Sequence, residues 1–360
     1  MNRLMKITSV KTTQYSYNIY YGKDFTTLLE QDILKNFYDK VFIITQKSLH
    51  QLYKKHAFFN LGYNVVIIGK NEEAKDINTI DNVAHELLEK GCTRNSLIIG
   101  FGGGVVTDVA GFIASIFMRG IDHVFIPTTL LGMVDGSIGG KTGINSSKGK
   151  NILGTFKHPK AIYISLDFLK TLSKKQIING FAEILKYGLI CDKILYENVK
   201  NNFDNLILLK DINLMEQIII SCCEHKKTIV EQDTYDKGQR LILNFGHTIG
   251  HAMEAYYNYK KIEHGEAVYY GMIAASYISW RLKYLEENHF IEINKLISNI
   301  PKIDIKDINI DSIMELIASD KKFSGNKKKF IVLKNIGGAV IEENISPALI
   351  RESLTFLINK

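Results

Sequence analysis

Three of the chain's ten histidines fall in one short stretch, Asn244-Phe-Gly-His247-Thr-Ile-Gly-His251-Ala-Met-Glu254 followed by Glu263-His264-Gly-Glu266. On a helix His247 and His251 share a face one turn apart. His264 follows far enough on for a second helix to bring it back beside them. Neutral imidazole is the commonest protein ligand for transition metals, so metal-assisted chemistry is the first expectation. The spacing is that of a zinc-protease helix, but Thr248 stands where such a helix needs its glutamate base, which sets that reaction aside. A second charged group lies upstream. Glu183 and Lys186 share one face of an apolar segment, Ile177 to Ile190, where they must either pair with one another or serve a ligand.

The other candidate groups bind anions. Ser96-Leu-Ile-Ile-Gly100 runs into Gly100-Phe-Gly-Gly-Gly104 and then into a helical stretch from Val105 to Phe112. Glycines at a strand-to-helix turn let backbone N–H groups approach a phosphate, and the helix N-terminus adds favourable partial charge. The third glycine of a strict dinucleotide fingerprint would fall at Val105, so the turn is either a pyrophosphate site or simply tight. Lys141 and Lys150 are each preceded by glycine, but no P-loop is present. With Arg119, Lys186, Lys226 and Arg240 they form a set of cations too large for a single carboxylate. A metal beside a nicotinamide suggests chemistry at a hydroxyl, and the surplus of cations suggests a multiply anionic substrate such as a phosphorylated sugar acid.

The elements that must carry these groups are legible in outline. At 360 residues, 46% hydrophobic and 23% charged, the chain is expected to form about two globular domains. Alternating Tyr15, Tyr17, Ile19 and Tyr21 predict a strand. Val41–Ile44, Val65–Ile68, Ser96–Gly100 and Val124–Thr129 read as buried strands with helices between, Asp76–Leu88 among them, which implies a parallel sheet. From about Leu172 the periodicity turns helical, with Ala267–Trp280 a buried helix too short for a bilayer and Phe330–Leu333 a late strand. The net charge of +7 is dispersed, with no aromatic-interleaved basic stripe, so nucleic acid is not expected as a partner. Met1–Lys6 lacks the apolar run of a secretory leader. Cys92, Cys191, Cys222 and Cys223 have neither metal nor disulfide spacing, so a cytoplasmic location is expected.

Seven motifs then occur in order: Gly102-Gly-Gly-Val-Val-Thr-Asp108, Pro127-Thr-Thr-Leu-Leu131, Val134-Asp-Gly-Ser-Ile-Gly-Gly-Lys-Thr142, Gly149-Lys-Asn151, Phe181-Ala-Glu-Ile-Leu-Lys-Tyr-Gly188, Asn244-Phe-Gly-His-Thr-Ile-Gly-His251 and His264-Gly-Glu266. Together they resemble the motif set of 3-dehydroquinate synthase, a sugar phosphate cyclase, over roughly Lys40 to Ile341. The resemblance implies an α/β fold with an N-terminal Rossmann-like, parallel-sheet NAD domain at 1–172 and an α-helical, metal- and substrate-binding domain at 173–360. It implies a zinc or cobalt ion on Glu183, His247 and His264, with Glu183 counted among the catalytic residues. His251 would shuttle protons and Lys141 would share in catalysis.

By the same resemblance, Asp135, Lys141, Lys226, Arg240, Asn244 and His251 contact the sugar acid, with Lys150, Asn151 and Lys186 nearby and Lys321 at its phosphate. Arg119 would reach the site of a neighbouring subunit in a homodimer. NAD would meet Glu72, Lys75, Gly102, Gly103, Gly104, Val105, Val106, Thr107, Asp108, Thr128, Thr129, Lys141, Lys150, Phe168, Leu169, Lys170 and Thr171. The implied reaction converts 3-deoxy-D-arabino-heptulosonate 7-phosphate to 3-dehydroquinate and phosphate by transient oxidation, elimination, re-reduction and intramolecular aldol closure. The chain departs from the pattern at Thr45-Gln46-Lys47-Ser48, where Gln46 replaces a ribose-binding aspartate, at Thr107 and at Gly136. Two enzymatic alternatives are a metal-dependent polyol dehydrogenase, which has less use for so many cations, and a cyclase for another sugar phosphate. A protein that binds metal or nucleotide without catalysis is a third.

Overall fold

The apolar runs at residues 41–44, 96–100 and 124–127 are buried throughout, whereas 65–68, expected to be buried, lies at the sheet edge and leaves Ile67 41% exposed. The computed structural model describes residues 6–23, 25–147, 149–319 and 329–359. They fall into two units, Met1–Leu172 with Lys226–Tyr235, and Ser173–His225 with Asp236–Lys360. In the first unit the elements are β1 (Lys6–Lys11), β2 (Ser16–Tyr21), α1 (Phe25–Asn36), β3 (Val41–Gln46), α2 (Lys47–Tyr53), β4 (Asn64–Ile68), α3 (Ile77–Glu89), β5 (Leu97–Gly102), α4 (Gly104–Ile116), β6 (Asp122–Pro127), β7 (Lys141–Ser146), β8 (Gly149–Phe156) and β9 (Ala161–Ile164).

Seven strands form one sheet in the order β1-β2-β9-β6-β5-β3-β4. All its pairings are parallel except β1 with β2. Central β5 is buried at every position, as a strand covered on both faces should be. Edge-side β2 alternates instead, with Tyr17, Ile19 and Tyr21 inward, as its sequence predicts. Helix α3 starts where Asp76 accepts the Thr79 N–H, and it buries Ile80, Val83 and Leu87 on one stripe. Gly103 caps α4 and could not be larger, since a Cβ there would lie 2.8 Å from the Thr129 methyl.

The region of Lys141 and Lys150 differs from the loops its glycines suggest. It is an antiparallel hairpin, β7–β8, in which Gly143 stands opposite Gly154. A Cβ on Gly154 would meet the Thr142 carbonyl at 2.9 Å, so the glycines serve close strand approach and dilute the alternation that marks a strand.

The second unit is helical: α5 (Lys174–Cys191), α6 (Lys193–Ile207), α7 (Ile212–Gln232, grouped with the first unit from Lys226 on), α8 (His247–Tyr256), α9 (His264–Arg281), α10 (Glu287–Ser298), α11 (Ile310–Ser319) and α12 (Pro347–Ile358), with one hairpin of β10 (Phe330–Asn335) and β11 (Gly338–Glu342). Its core is α9, buried from Gly265 to Ser279, packed on α5, buried from Ile177 to Ile190. Both were expected from their apolar runs. Among the described residues no helix is long and apolar enough to cross a membrane.

Candidate active site

The histidine stretch folds as its spacing requires. Gly246, at φ +77°, ends the preceding turn and lets α8 begin at His247. Its carbonyl lies so near α9 that a Cβ on Gly271 would sit 1.8 Å from it, which brings the two helices into direct contact. At the other end of the arrangement Asn179 of α5 fixes the start of α9. Its Oδ1 accepts the Gly265 N–H at 2.5 Å, and a Cβ at position 265 would lie 2.2 Å from the Asn179 carbonyl. Glu183 is one turn beyond Asn179 on the same face, so this clamp sets His264 against it.

Three donor atoms converge there. Glu183 Oε1 lies 3.3 Å from His247 Nε2 and 3.2 Å from His264 Nε2. The far nitrogens are also engaged. His247 Nδ1 faces the Phe245 carbonyl at 3.0 Å, and His264 Nδ1 faces Glu254 Oε2 at 3.4 Å. A carbonyl acceptor requires Nδ1 to carry the proton in His247, which leaves the Nε2 lone pair pointing at the cluster. Glu183 is 1% exposed, and its second oxygen pairs with Lys186, resolving that apolar-helix pair as an ion pair that also steadies the carboxylate.

Two imidazoles and a carboxylate are the donor set of a catalytic zinc site with room for a further ligand. Donors about 2.0–2.1 Å from a tetrahedral ion stand about 3.3 Å from one another, which the two Nε2–Oε1 distances match. These residues therefore fit a metal.

The electrostatics agree. Burial alone would raise the Glu183 carboxyl, but Lys186 and His247 hold it well below the usual carboxylate range. Burial lowers His247, which favours the neutral imidazole, against the opposing pull of Glu183. Burial also opposes a charge on His264, yet Glu183 and Glu254 raise it to about 10. His251 stands beside the group, its ring centroid 5.3 Å from that of His247 and 6.3 Å from that of His264. Arg240, buried, and Asn244, half-buried, lie on the short 3₁₀ segment leading to α8.

The first unit gathers a second cluster. Lys75, 4% exposed, donates to Asp108 Oδ2 at 2.7 Å and Asn151 Oδ1 at 2.6 Å, and pairs with Glu72 at 3.3 Å. Asn145 of β7 donates to Glu72 Oε1 at 3.1 Å, and its backbone N–H donates to the Lys75 carbonyl at 2.7 Å. This network ties the segment after β4 to the N-terminal half of α4 and to the β7–β8 hairpin. Burial would lower Lys75, but Asp108 and Glu72 raise it; burial would raise Glu72, but Lys75 and Lys150 lower it. Asp108 is raised by burial, which Lys75 only partly offsets.

Lys226 pairs with Asp135 Oδ1 at 2.9 Å and also donates to the Asp135 carbonyl at 2.6 Å. Thr128 is buried and Thr129 half-buried where β6 ends beside the glycine turn. Of the 168–171 segment, Phe168 and Leu169 are core residues, whereas Lys170 and Thr171 reach the surface. Lys141 is exposed at the start of β7, and Arg119 is exposed at φ +71°. Lys321 lies outside the described residues.

Reading the sequence alone missed Asn179, Asn145 and Glu254. Glu254 had a signal, since it shares the stripe of His247 and His251 two helical turns on. Asn179 and Asn145 had none, because their partners are distant in the chain.

The chain matches the family model of the 3-dehydroquinate synthase N-terminal region at residues 65–179 and that of the C-terminal region at residues 180–323. It is 38% identical to the 3-dehydroquinate synthase of Alkaliphilus metalliredigens, over 97% of each chain. The chain belongs to the 3-dehydroquinate synthase family. A second member, from Clostridium botulinum, is 40% identical over 94% of this chain and 98% of its own. The fold is shared more widely. A 2-deoxy-scyllo-inosose synthase, crystallised with carbaglucose-6-phosphate, NAD+ and Co2+, superposes with a TM-score of 0.87 at 24% identity, covering 98% of this chain and 99% of that one.

Proposed function

We propose that the chain converts 3-deoxy-D-arabino-heptulosonate 7-phosphate to 3-dehydroquinate and phosphate, the lyase step of the shikimate pathway toward chorismate and the aromatic amino acids. Within a family already defined by sequence, the observation that carries this reading is the convergence of Glu183, His247 and His264 at 3.2–3.3 Å. Those three would hold one divalent metal, zinc or cobalt, and NAD would be the second cofactor. When bound, the metal supplies a Lewis acid for a substrate hydroxyl and NAD a reversible hydride acceptor.

The chain's own residues bind, orient and move protons. The region 1–172 serves as the NAD domain and 173–360 as the metal and substrate domain. Lys186 holds the Glu183 carboxylate ionised and fixed in rotation. His251, beside both ligating histidines, exchanges protons with the substrate, and Lys141 assists. Asp135, Lys150, Asn151, Lys226, Arg240, Asn244 and Lys321 orient the sugar acid and its phosphate, as charge-assisted donors suit a multiply anionic ligand. The pairing of Lys226 with Asp135 keeps that ammonium pre-positioned.

The turn from Gly102 to Asp108, with Thr128 and Thr129, receives the NAD pyrophosphate on backbone N–H groups. The Lys75 network holds that turn against the hairpin. Thr171, exposed beside Tyr53, and Lys170 complete the cofactor's surroundings. The working form is a homodimer in which Arg119 reaches the neighbouring site. Exposed Ile116, Ile152, Leu153 and Phe156 in the same unit offer apolar side chains that such a contact would cover. The free, largely buried cysteines fit a cytoplasmic location.

Purified protein should release inorganic phosphate from the heptulosonate phosphate only when NAD and a divalent metal are both present, with no net NADH. Steady NADH formation from an alcohol without phosphate release would instead identify a dehydrogenase.

A further inference from the structure

Helix α8 carries more than its one candidate ligand, His247. On the stripe that holds His247 and His251 it also presents Glu254, a carboxylate 2% exposed. Its Oε2 lies 3.4 Å from His264 Nδ1, on the opposite side of the ring from Glu183, whose Oε1 is 3.2 Å from Nε2. The two ligating imidazoles are therefore held differently. His247 is backed by the neutral Phe245 carbonyl at 3.0 Å and His264 by a buried anion. Placing a carboxylate in a helical core costs several kcal/mol unless its charge meets a partner. Here it lies against a ring whose other nitrogen faces the candidate metal position.

We infer that Glu254 is the positioning residue of the metal centre: its carboxylate accepts the His264 Nδ1 proton, fixes the ring with Nε2 toward Glu183, and strengthens that nitrogen as a ligand. The inference rests on the metal reading given above. It also decides between two overlapping donor groups, Glu183/His247/His264 and His251/Glu254/His264, each with ligand atoms within 4.8 Å of one another. Because Glu254 sits on the far nitrogen of His264, it orients a ligand and is not itself one. Groups that orient metal-bound histidines in this way typically change affinity about 10–100-fold when removed.

Chelator competition with zinc alone, on the full-length protein without substrate, tests this. Wild type should bind one equivalent. Glu254→Gln, which keeps an acceptor but loses the charge, should bind about 10-fold more weakly, and Glu254→Ala about 100-fold more weakly. Metal-free Glu254→Gln should lose only the part of the His264 charge pairing that Glu254 supplies, keep a single cooperative unfolding transition and bind NAD normally, which separates positioning from a merely structural role. Wild-type zinc affinity in Glu254→Gln would overturn the inference while leaving the metal site intact. Tight binding in Glu183→Gln with none in Glu254→Gln would overturn it in favour of Glu254 as a ligand. No zinc bound by wild type would overturn this inference and the metal reading together.

Discussion

Around Lys75 the chain supplies both a cation and the groups that neutralise it, whereas around Glu183 it supplies three donors that meet at one point. The Lys75 ammonium, 4% exposed, has Asp108, Glu72 and Asn151 about it, so the cluster is complete as folded. Lys186 pairs with the outer oxygen of Glu183, and the inner oxygen faces two imidazole nitrogens at 3.2 and 3.3 Å. Both clusters bury charge in a folded core. In one the charges meet among themselves and hold backbone in place; the donors of the other fit a guest ion. A buried charge therefore does not by itself mark a reactive site. The direction in which its donors point does.

Mutation should split the two clusters cleanly. His264→Ala or Glu183→Gln should lower phosphate release roughly a thousandfold or more, the several kcal/mol expected of a lost Lewis acid. Zinc should no longer be retained against a chelator, while NAD binding to the metal-free protein stays unchanged. Wild-type turnover in His264→Ala would place the chemistry elsewhere. Lys75→Met should do the reverse. It leaves Asp108 and Glu72 without their cation and should destabilise the protein by about 3 kcal/mol in denaturant unfolding, with zinc affinity preserved. Loss of zinc binding in Lys75→Met would break the distinction between the clusters.

The asymmetry also explains how much could be read before folding. The histidine stretch was legible because one helical period places His247 and His251 on a single face; Glu254, further along the same stripe, was passed over because a lone acidic residue on a helix is ordinary. Glu183 and Lys186 were visible as a pair, but that the pair shares its carboxylate with two histidines depends on the Asn179–Gly265 clamp, for which periodicity gives no sign. The parallel strands could be found from their apolar runs. The β7–β8 hairpin could not, because its facing glycines serve strand contact and carry no alternation. The Lys75 network joins the segment of Glu72 and Lys75, helix α4 and both strands of the β7–β8 hairpin; Glu72, Lys75, Asp108 and Asn151 were legible one by one, whereas Asn145 and the contacts among the five were not.

Titration sharpens the contrast further. Without metal, His264 is raised to about 10, while His247 is lowered and Glu183 is held well below the usual carboxylate range. Between pH 7 and 9 an entering metal thus displaces one proton, from His264, and zinc affinity should rise about tenfold per pH unit. In the metal-free protein the sign is opposite. A histidine raised above its unfolded value, about 6.5, stabilises fully below that pH and loses the contribution as pH climbs toward 10. Metal-free protein should therefore unfold more readily at pH 9 than at pH 6, and zinc should reverse that difference. A flat affinity profile over this range would mean that His264 is not protonated in the free site.

The smallest effect is expected at the rim of the first unit. If the Lys75 network is complete in itself, NAD affinity must depend on groups still able to reach the ligand, and Gln46 at the end of β3 is the one to test. Its Nε2 donates to the Gly69 carbonyl at 3.2 Å, so part of its hydrogen-bonding capacity already serves the β3–β4 edge. A carboxylate here would give up that link, worth about 1 kcal/mol. In return it would offer a ribose hydroxyl a charge-assisted acceptor, roughly twice as strong as a neutral one. Gln46→Asp should thus tighten NAD binding a few-fold by calorimetry, at a slight loss in stability and with zinc affinity unmoved. Weaker NAD binding in this variant would show that the amide already makes the better contact, and that the departure at this position is an adaptation of the cofactor site.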